Sequence, residues 1–244
     1  MRDAWLTVRS AFFWALSILH FFPLGMLAVV LSLFFDPRRH DRWMRIFIRN
    51  VVRCAGARLE VRRPPGWDPE LVCFFVSNHV NVFDPMVLYS AIPQFVRGLE
   101  LESHFKVPVY GWIMKRFGNI PVPVVRTAAA MRELKARCRA ALDDGISVVV
   151  FPEGHRTLDG AVGVFRPGVF RMAREFGVPV VPVSITGAYE LKRKTSWMLR
   201  PARIVVHLHD PIDPRAPELP DERALLERVR AIVAEPVDAV RNAS

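Results

Sequence analysis

Apolar and polar positions are spread unevenly along this chain. From Ala11 to Phe35 no charged residue interrupts the run AFFWALSILHFFPLGMLAVVLSLFF, a length and apolarity that mark a membrane-associated segment. Pro23-Leu24-Gly25 at its centre divides it into halves of about 12 residues, each reaching only ~18 Å as helix against a hydrocarbon core of ~30 Å. Arg2 and Arg9 precede the run, and Arg38, Arg39, Arg42 and Arg45 follow it, so a single span would carry one basic flank to the outer face. A helical hairpin dipping into one leaflet, with both ends cytoplasmic, satisfies the charges and is the arrangement expected. A cleaved secretory signal is not expected, because the run exceeds an ordinary signal core and no A-x-A site follows. The next stretch mixes Arg42, Arg45 and Arg49 with Trp43, Ile46 and Phe47. It reads as an amphipathic helix, either inserting Trp43 and Phe47 at a lipid interface or presenting an ordinary solvated face.

Beyond this region the pattern changes to short β-branched runs at Leu71 to Val76, Ser147 to Phe151, Val178 to Ile185 and Arg203 to Leu208, which read as strands. Helical spacing separates them. Ala128 to Leu142 sets Met131, Leu134, Cys138 and Leu142 on one side, Pro167 to Phe176 opens on a first-turn proline, and Asp221 to Val233 has a capping aspartate before Leu225, Val229 and Ile232. The alternation predicts an α/β fold: a mixed, largely parallel sheet flanked by helices, with the apolar hairpin docked at its N-terminus. Residues 1–54 would form the membrane-associated segment and 55–244 the α/β domain. Proline cannot donate to a ladder, so strands holding Val122-Pro123 and Val181-Pro182 are expected at edges, bulges or ends.

Charge narrows the partners. Lys and Arg outnumber Asp and Glu to give a formal net charge of +10, which favours an anionic partner such as an acidic membrane, a phosphorylated metabolite or nucleic acid. The apolar N-terminus speaks for the membrane surface and against nucleic acid. Cys54, Cys73 and Cys138 are odd in number and scattered, which excludes a disulfide framework and fits a reducing compartment. His207 and His209 alternate on one strand with no completing ligand pattern, so no metal is expected. There is no G-x-S-x-G elbow, P-loop or G-x-G-x-x-G.

The chemistry-bearing residues follow the strands. His79 and Asp84 lie in Asn78-His79-Val80-Asn81-Val82-Phe83-Asp84, just after the Leu71 to Val76 run, and strand ends are where α/β folds keep their sites. Five helical residues turn through ~500°, leaving the side chains ~140° apart, so the intervening residues must turn for the two to touch. Asp84 would then fix the imidazole tautomer and leave the other nitrogen as a general base, although a purely structural hydrogen bond fits the same spacing. Phe151-Pro152-Glu153-Gly154-His155-Arg156-Thr157 also follows a strand. Gly154 permits close approach of a ligand, Arg156 offers a fork for phosphate or carboxylate, and Glu153 can accept from a hydroxyl.

Taken in order, NHVNVFD, GNIPVPVVR (Gly118 to Arg126), FPEGHRT with FRPG (Phe165 to Gly168), and VPVVPVS (Val178 to Ser184) resemble the glycerolipid acyltransferase superfamily, in particular the 1-acylglycerol-3-phosphate O-acyltransferases. The resemblance spans Leu71 to Ser184. It implies His79 as catalytic base, Asp84 as its orienting partner, and Arg126, Glu153, Gly154 and Arg156 as ligands of the acceptor's glycerol-phosphate end. It also implies an N-terminal two-helix element that docks on membrane. The expected reaction is direct transfer from acyl-CoA or acyl carrier protein to a lysophospholipid hydroxyl, with no cofactor, at the cytoplasmic face of the inner membrane. Another acceptor, such as lyso-ornithine lipid or a lipid A precursor, would use the same dyad. A catalytically silent membrane-binding protein is the alternative outside the enzymes. The chain departs from the family at His155, where threonine is usual before the arginine, and in having Lys106 as the only lysine near the expected position before the Pro-x-x-Gly turn. His155 is expected at the surface.

Overall fold

The apolar N-terminal run folds as one helix, not two. In the computed structural model, which describes residues 2–243 and side chains over 4–243, α1 is continuous over Arg2–Phe34. The Arg2 side chain of the basic flank lies outside the described residues. Pro23 sits within α1 on its exposed side, and the one N–H it lacks is a loss that an apolar helix tolerates. Gly25 makes a contact and no turn: a Cβ there would lie 3.0 Å from Val109 Cγ1 and 3.1 Å from Ile113 Cδ1. The expected fold-back at Pro23-Leu24-Gly25 is thereby corrected.

The chain reverses later, through Asp36 and a 3-10 turn at Pro37–His40, into α2, Asp41–Cys54, which packs on α1. Met44, Phe47, Ile48, Val51 and Val52 of α2 are buried, and Trp43 stacks on Phe47. Phe47 is only 2% exposed, so the lipid-inserting reading of this helix falls. Its apolar face is used against α1 and the domain. Arg45 likewise turns inward, pairing with Asp41 and donating to the carbonyls of Tyr89, Ile92 and Gln94.

The sheet has seven strands: β1 Ala57–Arg62, β2 Phe74–Ser77, β3 Val96–Leu101, β4 Ile120–Val122, β5 Ser147–Val150, β6 Val180–Thr186 and β7 Ala202–Leu208. Their order is β1-β7-β6-β2-β5-β3-β4. All neighbours are parallel except β6 and β7, the mixed and largely parallel sheet expected. Both faces are covered, as such sheets require. Phe75, Val183 and Ile185 face α2 and α3 (Asp84–Ala91), while Phe74, Val76, Val148 and Val150 face α5 (Ala128–Asp143), α6 (Gly168–Phe176) and α8 (Glu222–Asn242). In α5 the buried side is Leu134, Cys138, Ala141 and Leu142; Met131 is exposed. Ala28 of α1 joins Phe47 and residues flanking and within α4 (Tyr110–Arg116) in a separate cluster.

Val122 ends the edge strand β4 and Pro123 follows it, as expected, but Pro182 lies in β6, an interior strand. Its carbonyl accepts from His209 N (3.0 Å), so its nitrogen faces the same side, where β7 has ended at Leu208. The missing donor thus falls beyond the last ladder pair, Val183 with Leu208. An interior strand accommodates proline here because the ladder to its neighbour has already ended.

Candidate active site

Strand β2 delivers the first loop. Asn78 fastens it to β6: its Nδ2 donates to Ile185 O (3.0 Å) and its Oδ1 accepts from Ile185 N (2.8 Å). Asn81 then forms the turn that the five-residue spacing demands. Its Oδ1 accepts from Phe83 N (2.7 Å) and its Nδ2 donates to Ala188 O (2.7 Å), the side-chain mimicry of a backbone turn that asparagine provides. Asp84 opens α3 and is fully buried. Its Oδ2 lies 2.7 Å from His79 Nδ1 and accepts from Asn81 N (2.8 Å) and from Val80 N. A carboxylate only accepts, so Nδ1 donates and the lone pair sits on Nε2. The His79 side chain keeps 20% of its surface exposed.

The second loop leaves β5, the neighbour of β2. Phe151 stacks on the His79 ring with centroids 4.3 Å apart. Glu153 is buried, accepting from His79 N on Oε1 (2.9 Å) and from Gly163 N on Oε2 (3.1 Å). Burial raises its pKa, an effect these two hydrogen bonds oppose. Gly154 has φ +71°, and a Cβ there would meet Arg166 Cζ at 3.0 Å, so the Arg166 guanidinium lies across it. Thr157 N donates to His79 O (2.9 Å), which holds Arg156, one residue earlier, beside the dyad's loop.

An apolar cavity of about 760 Å³, counted to its open mouth, runs from Phe151 and Pro85 past Met86 and Val149 to Phe21 of α1, Met44 and Ile48 of α2 and Ile113 of α4. Glu100 and Tyr110 line it as well, and Tyr110 OH donates to Glu100 Oε2 (3.1 Å). The cysteines take no part. All three are free, and burial pushes the Cys73 and Cys138 thiols up to about 12, which leaves no thiolate nucleophile there.

The Acyltransferase family profile matches residues 60–186, a segment that contains both loops and the strands that carry them. This chain belongs to the Acyltransferase family. Among curated members it is 35% identical over 141 residues to a chloroplastic 1-acyl-sn-glycerol-3-phosphate acyltransferase of Brassica napus, covering 57% of this chain and 40% of that one. It is 30% identical over 219 residues to a 1-acyl-sn-glycerol-3-phosphate acyltransferase of Chlamydomonas reinhardtii, covering 85% and 64%. The chain therefore spans less than two thirds of the length of these relatives. The crystal structure of the 1-acyl-sn-glycerophosphate acyltransferase PlsC from Thermotoga maritima superposes with a TM-score of 0.84 over 99% of this chain and 98% of that one, at 23% identity, which establishes the shared fold.

In this acyltransferase-family chain the structure brings together His79, Asp84, Glu153, Gly154 and Arg156, with His79 on Asp84 through the expected turn. Glu153 points inward, 2% exposed, with each oxygen accepting from a backbone N–H, which ties it to His79 and Gly163. Gly154 is exposed, with the exposed Arg166 side chain as the nearest group to where a Cβ would stand. Arg126 is exposed, four residues past the edge strand β4, and among the described residues no hydrogen bond or ion pair ties it to either loop. His155 is exposed, as expected. The sequence reading missed Asn78, Asn81 and Arg166. Two asparagines in a short loop after a buried strand are a recognisable turn signal, whereas nothing local placed Arg166 over Gly154.

Proposed function

We propose that this protein transfers an acyl chain from acyl-CoA or acyl carrier protein to the free hydroxyl of a lysophospholipid, 1-acylglycerol 3-phosphate, yielding phosphatidic acid. The observation that carries this reading is the 2.7 Å contact of His79 Nδ1 with buried Asp84, with Nε2 left open beside an apolar cavity. Nε2 removes the hydroxyl proton as that oxygen attacks the thioester carbonyl. The tetrahedral intermediate collapses with loss of the thiolate, which recovers the proton from the imidazolium. Asp84 keeps the tautomer and stabilises the imidazolium. The donor's acyl chain fits the cavity behind Phe151, and Arg156 with Arg166 faces the acceptor's phosphate. Glu153 and the two asparagines position the dyad without touching substrate.

Membrane association follows from α1 in this reading. The most apolar 18-residue window of the 4–34 segment has a mean hydropathy of 2.1, and the 33-residue helix is ~50 Å long, well beyond one hydrocarbon core. Ser10, Ser17 and Ala28 face the protein, while Trp5, Phe12, Leu19, Val30 and Phe34 face outward. One stripe packed along the whole length and one apolar stripe exposed favour a helix lying in a single leaflet over one that spans. The active-site side would then meet the cytoplasmic face of an anionic membrane.

The test is thiol release by purified protein in mixed micelles, run as a matrix of lysophospholipid acceptors against CoA and carrier-protein donors. Turnover with lysophosphatidate is expected, and His79→Ala should lower kcat by about 10²–10⁴-fold, the usual contribution of a positioned base, while micelle binding persists. Near-normal turnover in that variant would refute the dyad. Silence of the wild-type protein with every acceptor would leave a membrane-binding protein without this chemistry.

A further inference from the structure

Residues 187–194, which follow β6 and include α7 (Ala188–Leu191), form a third wall of the site. Asn81 Nδ2 donates to Ala188 O (2.7 Å), Tyr189 OH to Leu158 O (3.0 Å) and Lys194 Nζ to Arg156 O (3.1 Å). The segment is thus laced to both loops, and it sets Lys192 two residues before Lys194, which touches the Arg156 carbonyl. Lys192 is the only basic residue that is buried among the described residues, at 8% exposed. No carboxylate among them pairs with it; its Nζ donates to Arg193 O (3.2 Å). Burial, and after it the charge of Arg156, lowers its pKa.

A buried ammonium with no acidic partner, on a segment fastened to the Arg156 backbone, is unfavourable by itself. An anion carrying close to two charges relieves it and the Arg156 guanidinium at once. A phosphomonoester is such an anion near neutral pH, with its second pKa near ~6. Arginine supplies a planar fork to its oxygens and lysine a compact point charge, so the two are complementary ligands of one phosphate.

We propose that Lys192 is a ligand for the acceptor's phosphomonoester, gripping it together with Arg156, and that Lys194 positions Arg156 through its backbone carbonyl. This inference rests on the acyl-transfer reading above. Lys192→Met keeps the apolar stem and removes the charge; Lys192→Arg keeps the charge. The KM for lysophosphatidate should rise about 10- to 100-fold in Lys192→Met, the scale of losing a hydrogen bond to a charged group, and recover in part in Lys192→Arg. The KM of the thioester donor and turnover of an uncharged acceptor, monoacylglycerol, should stay at wild-type values.

Inhibition by glycerol 3-phosphate should weaken in Lys192→Met in parallel with acceptor affinity. Weakened inhibition by inorganic phosphate with an unchanged lysophosphatidate KM would mark a free-anion site and overturn the proposal. A rise confined to the donor KM would assign Lys192 to the donor's phosphates and also overturn it. Lys192→Gln gives the same comparison if the methionine variant melts below the assay temperature. An unchanged lysophosphatidate KM in the charge-removing variants sinks this inference alone, whereas absence of lysophosphatidate turnover in the wild-type protein sinks the acyl-transfer reading and this inference with it.

Discussion

Asp84 gathers the His79 ring and two backbone N–H groups on a single oxygen, and Glu153 clamps the His79 backbone to Gly163. The imidazole is therefore held from both ends, by its ring and by its main chain. Glu153→Gln tests the second hold. Glutamine has one acceptor oxygen in place of two, so either His79 N or Gly163 N would face an amide N–H, and a buried unsatisfied group costs about 1–3 kcal/mol. Melting temperature should fall by about 2–4 °C per kcal/mol for a chain of this size, and on the acyl-transfer proposal kcat should drop more than the donor KM rises, because displacing the proposed base slows the reaction without loosening the thioester. Unchanged kcat with the same melting loss would make Glu153 a purely structural group. From sequence, His79 and Asp84 were legible as a pair that had to meet through a turn. The inward direction of Glu153 was not, because a glutamate in a glycine loop is compatible with either face until its backbone partners are known.

The elements pack by close approaches that the apolar pattern concealed. Gly25 lets α1 lie against Val109 and Ile113, and Val109 itself has a positive φ of 61°. Tyr110 N donates to Pro108 O across it (2.7 Å), a three-residue turn that is uncommon for a β-branched residue. Gly25→Leu would drive its side chain into both partners, and overpacking of this kind costs about 1–3 kcal/mol. The expected result is loosening of α1 from α4, read as faster amide exchange across Tyr110–Arg116 and earlier proteolysis of α1. Exchange at the wild-type rate would show that the contact carries no weight. The apolar run and the strands β2, β5, β6 and β7 were legible as hydrophobic periods. Strands β1 and β3, ARLEVR and VRGLEL, carry charges inside their spans and showed no such period. They are strands because their neighbours supply a ladder, a reason that lies outside their own residues.

At the scale of the whole molecule, the charge of +10 and the apolar outer face of α1 both suit an anionic, lipid-covered surface. Stability should depend on pH through His207 and His209. Burial, then the charge of Arg62, lowers the pKa of His207, and burial, then His207 itself, lowers that of His209, against the opposing charges of Glu60, Glu235 and Asp210. The unfolded chain therefore binds protons more readily than the fold. Their stabilising contribution is full above the ordinary value of 6.5 and is lost as pH falls below it toward the depressed folded values. Denaturation midpoints should decline between about pH 7 and pH 5, and His207→Gln with His209→Gln should flatten that decline; an equally steep slope in the double variant would place the effect elsewhere.

Local order along the chain determined the α/β alternation, the apolar N-terminal segment and the strand-end placement of His79, Asp84, Glu153 and Arg156, since hydrophobic period and strand-to-loop boundaries are properties of neighbouring residues. Tertiary structure alone decided that α1 stays unbroken through Pro23, that Pro182 fits an interior strand, that Glu153 faces the backbone and that Lys194 comes to Arg156. Each of those outcomes depends on groups far apart in sequence, and burial and charge act through space without regard to chain order.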